Sequence, residues 1–193
     1  MNKSEVFNEE LQYIKNKDIK DATIFMINLL PDYFFEIPAS STGKYHPSFA
    51  ASNNGLVKHT KVAVRIAIEL LSNPALHRFD DRTKDLIIMS LILHDGIKSG
   101  ISKEQYTRFD HPLLIANLIK ENKTNLNLND IEIDKISKMI SSHMGPWNTD
   151  YNGNEILPVP VSAEERFVHM CDYLSSKKFL DVEFDGINIK YKK

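Results

Sequence analysis

Four histidines and two aspartates stand in stretches of this chain that otherwise read as apolar core. They are His59 in GLVKHTKVAV, the adjacent His94 and Asp95 in LIIMSLILHDGIK, His111 in FDHPLLIA, His143 in MISSHMG and Asp172 in VHMCDYLSSKK. A buried imidazole or carboxylate is costly unless it finds a partner, and a divalent metal is the one partner that can satisfy six at once. Neutral histidine and ionised aspartate suit Mn, Fe, Co, Ni or Zn. A metal held this way lowers the pKa of bound water from about 15.7 to roughly 7, so hydroxide exists at neutral pH. The expected chemistry is hydrolysis by metal-activated water.

Three further residues could serve a substrate. Lys98, three residues after Asp95, can set an ammonium against a phosphate or simply neutralise a helix C-terminus. His46, beside Pro47, is a loop residue within possible reach of substrate. Trp147, after Gly145 and Pro146, either closes a loop over the core or forms a pocket wall on which a base stacks. Lys177 and Lys178 are too short a run for a nucleic-acid patch and read as a solvated helix end. His77 and His169 fall outside the pattern and read as structural.

The elements that must position these groups are helices joined by short polar loops. Residues 5–30 give one or two helices, stopped by Pro31. Residues 31–54 are irregular, with Pro38, Pro47 and a Ser40-Ser41-Thr42-Gly43 run, and a loop of that length suggests function. The next helix starts near Gly55, where Leu56, Ala63, Ile66, Ala67 and Leu70 share a face with His59. A second starts near Asp81 and carries Leu86, Ile87, Ser90 and Leu93 into His94 and Asp95. Neighbours on an ideal helix are about 100° apart, so this pair can share a metal only near a helix end, for which Gly96 is available. His111 opens a third helix, with Pro112 in its first turn and Asp110 as cap. Asp130 caps a fourth, striped by Ile133, Ile136, Ile140 and His143. Ser162 and Glu165 form a capping box for a fifth, striped by Val168, Cys171, Asp172 and Ser175. In the tail, residues 180–184 and 187–191 alternate around Asp185-Gly186, a small β-hairpin signal.

The ligand order H…HD…H…H…D, with lysine three residues after the HD aspartate, resembles the HD superfamily of metal-dependent phosphohydrolases over residues 40–178. The resemblance implies an all-α HD-domain helical bundle as a single domain over residues 1–193. The N-terminal helices and loop (1–39) would precede the core, and the hairpin (179–193) would follow it. It also implies that His59, His94, Asp95 and Asp172 hold one metal. His111 and His143 match the extra ligands of the two-metal branch, with Asp95 bridging the ions, and Lys98 matches the HD-x-x-K lysine. The stretches GLVKHT, SSHMG and CDYLSSKK are most similar to the HD domains of certain bacterial exoribonucleases and of small phage or Gram-positive HD proteins. The full set also resembles diadenosine tetraphosphate hydrolases and cyclic-di-GMP phosphodiesterases. The chain departs in reading HDGIK where HDIGK is usual, in carrying Met144 where some relatives have another histidine, and in lacking the glycine-tyrosine-proline signature.

The expected activity is cleavage of a nucleotide-like phosphoester or phosphoanhydride, with two divalent ions (Mn, Fe, Ni, Co or Mg) as cofactor. Asp95 and Lys98 would be catalytic; His46, Lys98 and Trp147 would bind substrate. The alternatives are a nuclease trimming nucleic-acid ends, an HD-fold di-iron oxygenase using the same six ligands, and a non-catalytic module kept stable by its metal. A net charge of −2, from 24 basic and 26 acidic residues, gives no global field for tight nonspecific nucleic-acid binding. The expected partner is a phosphorylated small molecule or nucleotide, with nucleic acid as the alternative and no membrane. The lone Cys171 excludes an internal disulfide and fits a reducing compartment, so the cytoplasm is the expected location.

Overall fold

The computed structural model describes residues 2–40, 46–150, 152–178 and 183–190. Seven α-helices form the described fold: α1 (Asn8–Leu11), α2 (Lys17–Leu29), α3 (Gly55–Leu71), α4 (Asp81–Leu93), α5 (His111–Glu121), α6 (Asp130–Ser141) and α7 (Ala163–Ser175). The class is all-α, as the periodicity predicts. No described helix is long and apolar enough to cross a membrane.

Helix α4 is the axis of the bundle. From Leu86 to Leu93 every residue is buried, and the helix packs against α2, α3, α6 and α7. A helix apolar on all sides belongs at the centre of a core; the single stripe expected from the sequence understates it. Surrounding α4 on every side fixes its C-terminal end, which carries His94 and Asp95. Asp80 caps its start by accepting from Thr83 N at 2.7 Å. Asp85, buried on α4, accepts from the backbone N–H groups of Lys15 and Asn16 and so ties the start of α2 to the axis.

Helices α2, α3, α6 and α7 pack on this axis, while α5 packs on α6 and α1 on α3. On α3 the buried set is Leu56, Val57, His59, Thr60, Ala63, Val64, Ala67 and Leu71, while Ile66 and Leu70 lie on its flank. Helix α6 buries Ile133, Ile136 and Ile140, and α7 buries Val168, Cys171 and Ser175, as their stripes predict. Leu30 ends α2 in extended backbone immediately before Pro31, as that proline requires. The long connection between α2 and α3 contains two 3-10 turns, Asp32–Phe35 and Ser48–Ala50. Its residues 41–45 lie outside the described set.

Four local expectations need correction. Asp110 does not cap α5 with its side chain, because the Arg108 guanidinium holds its carboxylate at 2.7 and 2.8 Å. The cap of α6 is Asn129, one residue earlier than expected, in a reciprocal box with Glu132; Asn and Asp cap equally well, so propensity could not choose between neighbours. On α7, Ser162 accepts from Glu165 N, but Glu165 reaches Val161 N instead of closing the box on Ser162. In the tail, β1 (Glu183–Asp185) pairs antiparallel with β2 (Asn188–Lys190), so the two-residue turn is Gly186-Ile187, one position later than expected. Gly186 has φ +62°, the sign needed at the first loop position of a type II′ hairpin turn. The outer parts of the expected strands, residues 180–182 and 191, lie outside the described residues.

Candidate metal centre

All six sequence-selected ligands converge on one point. His59 comes from the second turn of α3, His94 and Asp95 from the end of α4, and His111 from the first position of α5. His143 lies just past α6, and Asp172 comes from the last turn of α7. Five of the six are at most 1% exposed; Asp172, at 17%, is the one that solvent reaches. Asp172 Oδ1 lies 3.0 Å from His59 Nε2 and 3.4 Å from His94 Nε2. Asp95 Oδ2 lies 3.6 and 3.5 Å from the same two nitrogens. Its other oxygen, Oδ1, lies 3.0 Å from His111 Nε2 and 3.7 Å from His143 Nε2. Asp95 therefore turns one oxygen to each pair of histidines.

The opposite edge of each ring is held by a backbone carbonyl or a hydroxyl. His94 Nδ1 is 2.7 Å from Leu91 O, His111 Nδ1 is 2.6 Å from Arg108 O, and His143 Nδ1 is 2.7 Å from Ile140 O. A carbonyl only accepts, so each Nδ1 carries the proton. The Ser175 hydroxyl donates its single proton to Asp172 O at 2.7 Å and therefore accepts from His59 Nδ1 at 3.0 Å. With Nδ1 held from behind, each of the four rings turns its Nε2 toward the other rings and toward the two carboxylates. His59 Nε2 and His94 Nε2 are only 3.3 Å apart, while Asp95 Oδ1 and His111 Nε2 are buried without a hydrogen-bond partner. A metal between these atoms satisfies them together.

The spacing fits as well. Donors about 2.1 Å from a shared ion are separated by about 3.0 Å at octahedral and about 3.4 Å at tetrahedral angles. The observed separations of 3.0–3.7 Å span that range. Three overlapping triads can hold an ion: His59, His94 and Asp95; His94, His143 and Asp172; and Asp95, His111 and His143.

Electrostatics keeps the donors ready. Burial alone would raise the pKa of Asp95, yet Lys98, His94 and His111 outweigh it and hold the carboxyl well below the usual range. Burial opposes ionisation of Asp172 too, and His59 and His94 overcome it. Burial pushes His143 down to about 3, with His94 adding to the effect, so its imidazole is neutral. His94 moves the other way: burial would lower it, but Asp95 and Asp172 raise it above its ordinary value. Among the described residues Lys98 brings an ammonium to the set, its Nζ 2.5 Å from Asp95 Oδ2. The centre therefore has room for further positive charge.

A family model for the HD domain matches residues 56–177, more than half of the chain, and begins and ends around this ligand set. The chain belongs to the HD domain family. HD domains form a superfamily of metal-dependent phosphohydrolases that bind divalent metals, and the His/Asp cluster is compatible with that role. A search of curated proteins and of solved structures found no match.

Around the HD ligands lie residues that sequence reasoning passed over. Gly96 does not end α4, which stops at Leu93; it is a glycine because a Cβ there would meet Leu30 Cδ2 at 2.6 Å. Tyr33, buried in the Asp32–Phe35 turn, donates to Gly100 O at 2.6 Å and accepts from Ser99 N at 3.1 Å. Burial raises its pKa to about 12, so the phenol stays a donor and pins the turn that carries Lys98. Lys98 O in turn accepts from Arg108 N at 2.9 Å, and Arg108 O holds His111, linking the lysine turn to a ligand through one residue's backbone. His169 has the structural role expected of it, its Nδ1 donating to His143 O at 2.7 Å. His77 likewise bonds only to nearby backbone, at Leu71 O and Phe79 N.

The remaining substrate candidates divide. The ring of His46 stands edge-on to His59 with centroids 4.9 Å apart, and its Nδ1 is buried without a hydrogen-bond partner among the described residues. Trp147 does not close over the core: it is 52% exposed and lies parallel to Tyr173.

Proposed function

We propose that this HD domain hydrolyses a nucleotide-like phosphoester or phosphoanhydride, with His59, His94, Asp95, His111, His143 and Asp172 holding two divalent ions. The observation that carries the reading is the set of four Nε2 atoms and two carboxylates within ion-sharing distance, each Nδ1 held from behind. Bound metal supplies Lewis acidity there, polarising a phosphoryl oxygen and yielding hydroxide from water near neutral pH. The chain's own residues supply the rest. Asp95, with an oxygen toward each histidine pair, fixes the spacing of the two halves. Lys98, 13% exposed at its side chain, points an ammonium into the centre from the solvent side and neutralises charge on the phosphoryl oxygens as the P–O bond breaks. His46 offers an unpartnered ring nitrogen beside His59, suited to a hydrogen bond with substrate. Net charge of −2 favours a small phosphorylated substrate over a nucleic-acid polymer.

The test is a screen of phosphomonoesters, phosphodiesters, dinucleoside polyphosphates and short oligonucleotides, with Mn, Mg, Ni and Co added separately. Metal-dependent phosphate or nucleotide release, abolished in Asp95→Ala, is the expected result. Turnover that needs oxygen would replace this reading by an oxygenase. Tight metal binding with no turnover of any kind would leave a metal-stabilised module.

A further inference from the structure

The geometry points to a second recognition element beside the metal centre: Trp147, Tyr173 and Lys177 form a shelf that binds the heteroaromatic base of a nucleotide. This rests on the phosphohydrolase reading for what the neighbouring phosphate does, but not for the stacking itself.

Trp147 keeps about half its surface in solvent, whereas tryptophan is usually well buried. It takes no part in the apolar core. Its ring nevertheless has a fixed pose, parallel to Tyr173 with centroids 5.7 Å apart and planes 13° from each other. Lys177 Nζ lies over the Tyr173 ring, 3.7 Å from its centroid and 5.7 Å from that of Trp147, so one cation packs on the face of this aromatic pair at its Tyr173 end. The reading of Lys177 as merely a solvated helix end is therefore incomplete. A half-exposed Trp147 ring with a cation over its Tyr173 neighbour suits a base that stacks on the tryptophan and a phosphate that follows it toward the lysine.

The shelf is built onto the ligand set from two sides. Tyr173 directly follows Asp172 on α7, and Asp172 is the ligand that solvent reaches. Trp147 lies four residues beyond His143. Between the two, the His169 ring stands 6.3 Å from Trp147 and 6.0 Å from Tyr173, while its Nδ1 holds His143 O. Gly145 lets the chain make this passage: its φ is +62°, and a Cβ there would fall 2.2 Å from His169 Cε1. The shelf is thus tied to the centre through His169, which touches both of its rings and holds the backbone of His143.

Trp147 is the sole tryptophan of the chain, so intrinsic fluorescence reports this one ring. The experiment titrates the full-length protein with AMP, GMP, ribose 5-phosphate and inorganic phosphate. Saturable quenching by the two nucleotides, and not by ribose 5-phosphate or phosphate, is expected. Tyr173→Ala should raise the nucleotide Kd roughly 5- to 150-fold, the range for losing one stacking partner, and Lys177→Ala should raise it as well. For whichever phosphoester the protein cleaves, Trp147→Leu should lower kcat/KM for nucleotides while leaving metal content unchanged. No quenching by either nucleotide, or nucleotide affinity indifferent to both substitutions, overturns the shelf even if phosphoesters are hydrolysed. Saturable, substitution-sensitive quenching without hydrolysis of any phosphoester supports the shelf and overturns the phosphohydrolase reading instead.

Discussion

Lys98 Nζ lies 2.5 Å from Asp95 Oδ2, the carboxylate oxygen that also faces His59 and His94. The Lys98 ammonium is therefore already held against a candidate ligand, close to where a phosphate would sit. If that ammonium acts mainly in the transition state, Lys98→Ala lowers kcat and kcat/KM together, by roughly 10²–10³-fold on the scale of one lost oxyanion donor. Metal content by elemental analysis should not fall, because the substitution removes a cation that competes for Asp95. Lys98→Arg should rescue only in part, since a planar fork does not fill the place of a compact ammonium.

Metal stoichiometry separates the two halves of the centre. Asp95 serves both histidine pairs, so Asp95→Ala should remove metal and activity with helical content by circular dichroism preserved. His143→Ala touches one pair only and should lower the content from about two ions to one, with a large loss of rate. Equal stoichiometry in wild type and His143→Ala would return that histidine to a structural role.

The Ser175 hydroxyl fixes His59 from behind, accepting from Nδ1 while donating to Asp172 O. Ser175→Ala frees the ring to rotate and change tautomer. Such outer partners typically contribute 10- to 100-fold in metal affinity, and competition against a coloured chelator should show a loss on about that scale.

Tyr33 acts through the backbone of Ser99 and Gly100, one and two residues beyond Lys98. Tyr33→Phe keeps the ring and removes the clamp, so kcat should fall with metal content unchanged. In a Lys98→Ala background the same change should have little further effect on kcat. Additive losses in the double variant would mean that Tyr33 supports the fold generally and not the lysine turn.

Metal removal should be visible in stability. A ligand at about 100 times its Kd stabilises the folded state by about 2.7 kcal/mol, and for a chain of this size about 1 kcal/mol shifts Tm by about 2–4 °C. Chelator treatment should therefore lower Tm by roughly 5–10 °C, reversibly on adding metal back. A Tm indifferent to chelator and to added Mn, Ni or Co would place the histidines in an ordinary polar core.

The convergence of the six candidate residues was legible in one dimension because each is a polar residue inside an apolar, helix-periodic stretch, and such a position demands a partner wherever the helix packs. His59 on the stripe of α3, His143 at the end of the stripe of α6 and Asp172 on that of α7 carry this signal in their own neighbours. Helical class follows from the same periodicity. Helix ends were less legible where the local chemistry is degenerate, as between Asn129 and Asp130 or at the Gly186-Ile187 turn. What the tertiary structure alone decided is the set of long-range partners. Ser175 meets His59 across 116 residues, and Tyr33 meets Ser99 across 66. The stacking of Trp147 on Tyr173 likewise requires the loop after α6 to come back against α7. A serine, a tyrosine or a lysine at a helix surface has no local feature that distinguishes it from its neighbours. Its role exists only once packing around α4 has brought separate helices to one point.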